Sequence, residues 1–356
     1  MNPIRVAILG QGRSGRDIHG YSLSKMPDQY KIVAVVDELE ERRKRAEQEY
    51  KCQTYADYHQ LMDRDDVDLV INALPSFQHV PVSLEFLERG FHVLSEKPLA
   101  RKVTDVDLII DAAKKSGKVM AVYQQSRFSP AFIKLREIIA SGVLGRIVQV
   151  SIFYSGFARR WDWQTLKSMN GGNLLNTGPH PVDQALQLFG TDLMPEVICK
   201  MDRANSYGDA EDYVKIMLMG NNRPVIDVEI SSCSAYPQFT YQVQATQGGL
   251  TGNLTHLDWK YFVPEDSADH QVISAPLQKE DGTPAYCSEK LIWHEASWDL
   301  QPDFKQDLFH TMALSYYDML HKTITLGEPL KVKLEEVRQQ IAVIETCFQQ
   351  NPQFAI

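Results

Sequence analysis

Short apolar runs alternate with amphipathic stretches over the first third of the chain. Each apolar run is four to six residues long, and a longer stretch with one polar face usually follows it. This rhythm is typical of a parallel sheet covered by helices. The predicted strands are residues 4–9, 32–36, 69–73, 91–94 and 119–123, and the predicted helices are residues 14–25, 39–50, 80–89 and 104–116.

The pattern changes after residue 127. Polar and apolar residues then alternate more often, which favours antiparallel strands with one wetter face. Predicted strands here are residues 147–153, 196–199, 213–218, 225–230 and 239–245, and predicted helices are residues 131–139, 304–323 and 334–348. We therefore expect two domains, residues 1–125 and residues 126–356.

Length and composition agree with two globular domains. The 356 residues exceed the roughly 250 to 300 at which a single core stops growing. With 44% hydrophobic and 23% charged residues, the composition is that of an ordinary soluble protein. No apolar run approaches the roughly 18 residues that span a bilayer, and the N-terminus lacks the pattern of an export signal. We expect a cytoplasmic protein that contacts no membrane.

The charge balance excludes nucleic acid as the default partner. Lys and Arg number 37 against 46 Asp and Glu, so the net charge is −9, which repels a phosphate backbone. The five cysteines are scattered, without a Cys-x-x-Cys pair or a histidine at ligand spacing. They are predicted to be reduced packing thiols, and no metal site is expected.

A glycine-rich turn follows the first predicted strand, where Gly10, Gly12 and Gly15 form a G-x-G-x-x-G pattern. The first glycine allows a tight turn, the second lets a pyrophosphate approach the backbone, and the third lets the helix pack on the strand. The N-terminus of the helix then receives the negative charge. The pattern predicts a dinucleotide site made by Gly10, Gln11, Gly12, Arg13, Ser14 and Gly15.

Asp37 ends the second predicted strand, 22 residues beyond Gly15 and close to the roughly 20 expected for the acid that bonds the ribose hydroxyls. An acid here repels a 2′-phosphate, so it favours NAD over NADP. Three cations follow at Arg42, Arg43 and Lys44. They could hold a 2′-phosphate, although they also fit a solvated helix face, so NADP stays possible.

Two further motifs make this nucleotide-binding pattern recognisable. One is the triplet Glu-Lys-Pro at 96–98, and the other is Gly-Gly-Asn-Leu-Leu-Asn-Thr-Gly-Pro-His-Pro-Val-Asp at 171–183. Together with the glycine turn they resemble the glucose-fructose oxidoreductase and inositol dehydrogenase family (Gfo/Idh/MocA), as do residues 74–79 and 140–145. The resemblance implies an N-terminal Rossmann domain and a C-terminal α+β domain with a large open, mostly antiparallel sheet. The active site would lie in the cleft between them.

The resemblance also implies coenzyme contacts and self-association. Beyond the glycine turn and Asp37, the implied contacts are Leu74, Pro75, Ser76, His79, Glu96, Lys97, Pro98 and Gln124. Family members often form dimers or tetramers through the open sheet, so we expect a homodimer or homotetramer.

Lys97 is the first candidate for proton transfer. Oxidation by a nicotinamide coenzyme removes a hydride from carbon while the hydroxyl loses a proton, so a base must lie beside the nicotinamide. Lys97 follows a strand that reaches the carboxyl edge of the sheet, where open α/β folds bind ligands. The matching lysine of the family is catalytic, and the same role is predicted for Lys97.

His180 matches the second catalytic residue of the family, a histidine that relays the proton of the substrate hydroxyl. The flanking prolines place it at a helix entrance if a helix begins there. Asn176 stands where dehydrogenases of the family commonly carry an aspartate, and an amide orients an imidazole without compensating its charge. Lys97 is therefore the expected main acid or base, with His180 assisting and Asn176 binding substrate or orienting. Asp183 either supplies a carboxylate to His180 or is a helix-start charge.

Aromatic residues are concentrated before the second motif. Five of the eleven residues from 153 to 163 are aromatic, against 10% for the whole chain. Such rings pack on the apolar faces of sugars, although a core cluster would explain Phe153 equally well. Substrate contacts are predicted for Tyr154, Arg160, Trp161, Trp163 and Asp183, and for Arg127 just after the last strand of the first domain.

The leading hypothesis is an NAD(P)-dependent enzyme that transfers a hydride between nicotinamide and a hydroxyl or ketone carbon of a sugar, cyclitol or sugar derivative. A second is redox-neutral chemistry, in which bound NAD oxidises a sugar hydroxyl transiently so that a glycosidic bond can be eliminated. A third is a coenzyme-binding regulatory protein without activity, against which Lys97 and His180 argue together.

Overall fold

Six parallel strands form the first sheet. They are β1 (Ile4–Leu9), β2 (Tyr30–Val36), β3 (Gln53–Tyr55), β4 (Leu69–Asn72), β5 (His92–Ser95) and β6 (Met120–Val122). The structure, a computed structural model, describes residues 2–236, 238–305 and 307–355. The strand order is β3-β2-β1-β4-β5-β6, and every side chain of β4 and β6 is buried. The sheet is thus covered on both faces, as an all-parallel sheet must be.

Helices connect these strands. The glycine turn leads into a π-type helix at Arg13–Gly20, which continues as α1 (Tyr21–Ser24); the others are α2 (Glu40–Tyr50), α3 (His79–Glu88) and α4 (Val103–Ser116). All predicted strands and helices of this region are present. The strand that was missed, β3, has three residues at the edge of the sheet and is too short to show a pattern. The strand order reverses between β1 and β4, and ligands of such folds bind outside the carboxyl ends of the strands there.

The second sheet has eight described strands. They are β7 (Ile147–Ser155), β8 (Glu196–Asp202), β9 (Tyr213–Met219), β10 (Val225–Ser231), β11 (Tyr241–Ala245), β12 (Gly248–Gly252), β13 (His256–Tyr261) and β14 (His294–Asp299). Their order is β14-β13-β12-β11-β7-β10-β9-β8, and β7 pairs with β10 in parallel while the other neighbours are antiparallel. The expected fold class, a Rossmann domain followed by an α+β domain with a mostly antiparallel sheet, is confirmed.

Strands β12 to β14 were not predicted, for reasons visible in their packing. A Cβ on Gly248 would lie 2.1 Å from the carbonyl oxygen of Lys260, and one on Gly252 would lie 2.2 Å from that of His256. The glycines of β12 therefore allow a close approach of β13, but they carry no apolar signal. The side chains of β14 are mostly exposed, so no alternation marks this edge.

The remaining helices come from the second half of the chain. They are α5 (Pro130–Ala140), α6 (Asn173–Asn176), α7 (Pro179–Phe189), α8 (Pro302–Lys305), α9 (Leu308–Leu326) and α10 (Leu334–Gln350). The single helix predicted over residues 304–323 is divided into α8 and α9, and position 306 between them lies outside the described residues. In the described ranges, every helix is too short or too polar to cross a membrane.

Helices α9 and α10 come from the end of the chain but pack on the first domain, α9 against α1 and α10 against α4 and β6. The hydroxyl of Tyr316 in α9 donates to the carbonyl oxygen of Val122 in β6 (2.7 Å). A carboxylate oxygen of Glu345 in α10 accepts the N–H of Val103 at the start of α4 (2.9 Å). The boundary expected near residue 125 thus separates the two sheets, but the second half of the chain also supplies helices to the first.

Candidate active site

The glycine turn after β1 has the geometry that a dinucleotide needs. Gly10 has a φ of +89°, and a Cβ there would lie 2.7 Å from the carbonyl oxygen of Ala73, so only glycine fits. A Cβ on Gly15 would lie 1.8 Å from the oxygen of Gly10, which shows how closely the helix packs on the turn. At Gly12 the nearest neighbour would be Arg42 Nη1, 4.0 Å away, so this side of the turn is open to a ligand.

The turn also holds polar groups without protein partners. The helix containing Arg13 and Ser14 begins here, and the first N–H groups of a helix have no partner within it. The side chain of Gln11 is 1% exposed, and neither its oxygen nor its nitrogen has a hydrogen-bond partner among the described residues. These groups fit a pyrophosphate, which helix N-termini bind through backbone N–H groups and the positive end of the helix dipole.

Asp37 follows β2 and faces the turn. Its Oδ2 accepts the N–H of Gln11 (2.7 Å), and its Oδ1 accepts the N–H of Leu39 (2.9 Å). Arg42 Nη1 lies 3.3 Å from Oδ2. The carboxylate therefore shapes the turn from the position where the ribose of a bound dinucleotide is expected, with a cation beside it that could meet a 2′-phosphate.

A buried histidine joins the loops that follow β4 and β5. His79 Nδ1 lies 2.7 Å from the carbonyl oxygen of Pro98, and Nε2 lies 3.0 Å from that of Leu74. Burial lowers the pKa of His79, although both carbonyls oppose the shift. With both ring nitrogens occupied, this side chain holds the loops together, while Leu74, Pro75 and Ser76 remain predicted coenzyme contacts.

Lys97 lies immediately beyond β5, after Glu96. Its Nζ donates to the carbonyl oxygen of Asn176 at the end of α6 (2.7 Å). Burial lowers the pKa of Lys97, the charge of Glu96 opposes this shift, and the charge of Arg13 adds to it. The lysine of the first domain thus contacts the second motif directly.

A buried carboxyl group positions the start of α6. Glu211 Oε1 accepts the N–H of Leu174 (2.9 Å). Gly172 has a φ of +104°, and a Cβ there would lie 2.3 Å from Glu211 Oε2, so the glycine makes room for this carboxyl group. Burial raises the pKa of Glu211 to about 7, against the opposing effects of the Leu174 N–H and Arg101. The sequence pattern did not single out this residue.

His180 lies in the first turn of α7, flanked by Pro179 and Pro181. Its Nδ1 is 3.1 Å from the hydroxyl oxygen of Ser126. Burial and the positive charge of Lys97 lower the pKa of His180 to about 3, while Glu96 opposes the shift. The imidazole is therefore neutral at physiological pH, and the charge of Lys97 contributes to this.

The Asn176 side chain binds a residue of the aromatic loop and not His180. Its Oδ1 accepts a hydrogen bond from Gln164 Nε2 (3.2 Å). Because the backbone carbonyl of Asn176 accepts from Lys97, this residue links the predicted catalytic lysine to the loop after β7. We expected the Asn176 amide to orient His180, but the described residues show no hydrogen bond between these two side chains.

Arg127 and Asp183 form a buried ion pair. Arg127 Nε donates to Asp183 Oδ2 (2.9 Å), and Nη2 donates to Oδ1 (2.5 Å). Arg127 Nη1 donates to the carbonyl oxygen of Lys331 (2.7 Å) and to Glu336. The substrate contacts expected for Arg127 and Asp183 are thus replaced by a structural ion pair, because all three guanidinium nitrogens bind the protein. The carboxylate of Asp183 is turned to Arg127 and not to His180.

Tyr154 in β7 points toward α7. Its hydroxyl donates to Gln184 Oε1 (3.4 Å), which also accepts from Tyr241 (2.9 Å). Gln184 Nε2 in turn donates to the carbonyl oxygen of Ser126 (2.9 Å). Burial raises the pKa of Tyr154 to about 12, although the hydrogen bonds to Tyr241 and Gln184 oppose this. Tyr154 thus belongs to the network that also positions the partner of His180.

The aromatic loop after β7, residues 156–164, presents rings to solvent. Phe157, Trp161 and Trp163 are 61%, 79% and 47% exposed. Arg160 pairs with Asp162 (2.8 Å) and also donates to Gln164 Oε1 (2.5 Å). Since Gln164 binds Asn176, the loop is tied to the site while its tryptophans remain available for stacking. Phe153, by contrast, stacks on Phe239 with ring centroids 5.1 Å apart.

Gln124, a predicted coenzyme contact, turns to the C-terminal helix. Its fully buried Nε2 donates to Gln340 Oε1 (2.9 Å). Gln340 Nε2 in turn donates to the carbonyl oxygen of Pro179 (2.5 Å). This chain of amides joins the end of β6 to the start of α7 and so fixes the position of His180.

The sequence pattern missed several residues that support the site. They are Ser126, Gln184, Glu211, Glu336 and Gln340. Most belong to no motif, and their partners lie far away along the chain. The one available signal was the polar run Gln-Gln-Ser-Arg at 124–127, directly after a buried strand.

Comparisons with known proteins agree with this geometry. The profile of an oxidoreductase family with an NAD-binding Rossmann fold, Gfo/Idh/MocA, matches residues 4–124. The profile of the C-terminal domain of the same family matches residues 132–251. Together the two matches cover more than half of the 356 residues.

Individual relatives are also named as oxidoreductases or dehydrogenases. An uncharacterized oxidoreductase of Schizosaccharomyces pombe is 27% identical over 85% of this chain and 81% of its own. D-glucoside 3-dehydrogenase of Escherichia coli is 31% identical over 53% of this chain and 55% of its own. The WlbA dehydrogenase of Bordetella pertussis, solved in complex with NADH and UDP-GlcNAcA, shares the fold with a TM-score of 0.78 at 19% identity, over 99% of this chain and 96% of its own. With the glycine turn and the second motif in place, the chain belongs to the Gfo/Idh/MocA family of NAD-binding oxidoreductases.

Proposed function

We propose that this oxidoreductase transfers a hydride between a nicotinamide coenzyme and a hydroxyl or ketone carbon of a sugar, cyclitol or sugar derivative. The observation that carries the proposal is the contact of Lys97 with the α6–α7 segment, where its Nζ donates to Asn176 and its charge lowers the pKa of His180. The Escherichia coli relative is named for a glucoside substrate, which supports this substrate class.

The coenzyme would lie along the carboxyl edge of the first sheet. Gly12 and the helix that begins at Arg13 would hold the pyrophosphate, and Asp37 would hold the ribose. The loops joined by His79, together with Lys97, would flank the nicotinamide. When bound, the nicotinamide ring accepts or gives the hydride.

Lys97 would carry the proton. In oxidation its neutral amine takes the proton of the substrate hydroxyl, and in reduction its ammonium returns that proton to the carbonyl oxygen. Burial lowers the pKa of Lys97, which brings the neutral amine closer to the working pH. His180 holds Ser126 through Nδ1, which leaves Nε2 to hydrogen-bond the substrate oxygen.

The second domain would recognise the substrate. Asn176 and Gln164 offer amide groups next to Lys97, and Arg160 extends this polar row into the aromatic loop. The exposed rings of Trp161 and Trp163 offer apolar faces, against which the C–H faces of a sugar can pack.

The proposal is tested by incubating the protein with NAD or NADP and a panel of sugars, sugar acids, glycosides and cyclitols, while NADH or NADPH formation is followed by absorbance. At least one substrate is expected to give stoichiometric reduced coenzyme. Lys97→Ala should lose this activity, and Lys115→Ala, on the exposed face of α4, should keep it.

The other outcomes identify the competing functions. Absence of coenzyme binding would contradict the proposal outright. Substrate conversion without net reduced coenzyme would favour redox-neutral elimination. Coenzyme binding without conversion of any compound in the panel would favour a regulatory protein.

A further inference from the structure

A chain of buried polar groups runs beneath Lys97. The hydroxyl oxygen of Tyr317 lies 2.7 Å from His19 Nδ1, and His19 Nε2 lies 3.3 Å from Glu96 Oε1. The other carboxylate oxygen of Glu96 accepts the backbone N–H of Lys97 (3.0 Å). His19 and Tyr317 are fully buried, and Glu96 is 5% exposed, so water cannot replace these contacts.

Three distant parts of the chain meet in this group. His19 lies in the helix that follows the glycine turn, Glu96 follows β5, and Tyr317 lies in α9. The ring of His19 also packs edge-on against Tyr123, with ring centroids 4.7 Å apart. Tyr30 donates from its hydroxyl to the backbone carbonyl of Tyr317 (2.7 Å), which fixes this turn of α9. His19 thus connects the coenzyme-binding helix to the catalytic loop.

The charge of Glu96 bears on which ring nitrogen of His19 carries a proton. When the Tyr317 hydroxyl donates to Nδ1, the proton of a neutral imidazole is on Nε2, which faces Glu96. In the other tautomer a lone pair on Nε2 would face the carboxylate, which is repulsive. The carboxylate of Glu96 therefore favours the tautomer of His19 with the proton on Nε2, and the Tyr317 hydroxyl can then donate to Nδ1.

Glu96 in turn acts on Lys97. Burial alone would raise the pKa of Glu96, but His19, together with the charge and the N–H of Lys97, lowers it to about 2. The resulting carboxylate raises the pKa of Lys97 against the effect of burial. A group that controls the charge of Glu96 therefore controls the protonation of Lys97.

We propose that His19, held by Tyr317, is a positioning residue that keeps Glu96 ionised and thereby sets the proton affinity of Lys97. The functional meaning of this inference rests on the proposed proton-transfer role of Lys97. The effect of His19 on the protonation of Lys97 does not depend on that role, because it is a property of the protein alone. The other titratable or charged groups that face Glu96 or Lys97 are Arg13, His79, Tyr123, Tyr316 and His180. They are unchanged in the variants below.

The proposal is tested on the full chain without substrate by competitive labelling. Acetic anhydride acetylates only the neutral amine, so the labelling of the Lys97 peptide as a function of pH, read by mass spectrometry, gives the midpoint of its titration. In His19→Leu, Glu96 loses its partner and becomes protonated at higher pH. The Lys97 midpoint is then expected to move down, by at most the roughly one pH unit that complete loss of the Glu96 charge would give.

A double-mutant cycle tests whether His19 acts on Lys97 through Glu96. Glu96→Gln should lower the Lys97 midpoint in the same direction, and His19→Leu should add no further shift in that background. Tyr317→Phe, which removes only a hydroxyl, should produce a smaller shift of the same sign and keeps the proposal testable if His19→Leu does not fold. His59→Leu, at an exposed histidine of the first domain, is the control and should leave the midpoint unchanged.

An unmoved midpoint in both His19→Leu and Tyr317→Phe would overturn the proposal, as would an additional shift in the Glu96→Gln background. Because labelling requires no turnover, these results are independent of the substrate panel. A shifted midpoint in a protein that oxidises no sugar would leave the inference intact and contradict the proposed function.

Discussion

Lys97 is subject to two opposing influences, because burial lowers its pKa and Glu96 raises it. Its ammonium lies 2.7 Å from the backbone oxygen of Asn176, so the side chain at position 176 is close enough to shift this balance. The amide at 176 adds no charge, whereas the aspartate expected from the family would. The difference at this one position should be visible in the pH dependence of the enzyme.

Asn176→Asp is expected to raise the pKa of Lys97 by about one unit, because a carboxylate near an ammonium favours the charged form. The acid limb of the kcat/KM profile for alcohol oxidation should therefore move to higher pH, and kcat/KM at neutral pH should fall. The control is Asn170→Asp. The side-chain oxygen of Asn170 accepts a hydrogen bond from Arg101, which is not among the proposed catalytic residues. A limb that stays in place or moves to lower pH would contradict the proximity of the two residues.

Asp37 and Arg42 should have opposite effects on coenzyme choice. Asp37→Ala removes the anchor of the Gln11 N–H and the group that repels a 2′-phosphate, so NADH binding should weaken more than NADPH binding. Arg42→Ala should weaken NADPH more, since its guanidinium lies beside the open face of Gly12. Dissociation constants from fluorescence titration would show this, and a preference change of about tenfold corresponds to about 1.4 kcal/mol. Equal losses in both variants would refute this account of coenzyme choice.

Single residues were predictable where a local motif carried them. Lys97 was proposed from its triplet and His180 from the proline-flanked motif, because each is defined by its immediate neighbours, and their catalytic roles stay predictions. The ion pair of Arg127 with Asp183 was not predictable, since its 56-residue separation leaves no trace in either motif. His19 was missed for the same reason, because its partners Glu96 and Tyr317 are brought to it by the fold.

Among the elements, α7 is held by the polar contacts made at its buried face. Arg127, just after β6, binds Asp183 in α7 and Glu336 in α10, and Gln340 in α10 binds the carbonyl of Pro179. The helix that carries His180 is thereby fixed to both the first sheet and the last helix.

Arg127→Leu should destabilise the protein strongly, because it leaves the buried carboxylate of Asp183 and the partly buried carboxylate of Glu336 without their shared cation. Removing one partner of a buried ion pair costs about 3–5 kcal/mol, and urea denaturation would measure the loss in the free energy of unfolding. Arg338→Ala breaks a pair with Asp107 in which both side chains are nearly half exposed, so its effect should be far smaller. Similar losses in the two variants would argue against a structural role for the Arg127 pair.

Strands and helices, like single residues, were predictable where the signal lay in the local sequence. Buried parallel strands such as β4 are continuous apolar runs in the sequence, and all five strands predicted for the first domain are present. Strands β12 and β14 lie at the open end of the second sheet, where glycines and exposed side chains replace alternation. Their pairing depends on the neighbouring strand, which a local pattern does not contain.

At the scale of the whole molecule, distant parts of the chain come together at the proposed site. The N-terminal domain supplies the glycine turn and Lys97, and the second motif supplies Asn176 and His180. Helix α9 returns beneath the first sheet, where Tyr317 contacts His19. The net charge of −9 would not oppose the coenzyme, because its phosphates would be met by backbone N–H groups at a helix start.

The most direct test of the central claim is the single-turnover rate of NADH formation by the wild type and Lys97→Ala, with saturating NAD and the best substrate of the panel. The account predicts that Lys97→Ala lowers this rate by about 10²- to 10⁴-fold, the usual contribution of a general acid or base, while the dissociation constant for NADH changes little. An unchanged rate would contradict the assignment of Lys97 as the proton-transfer residue.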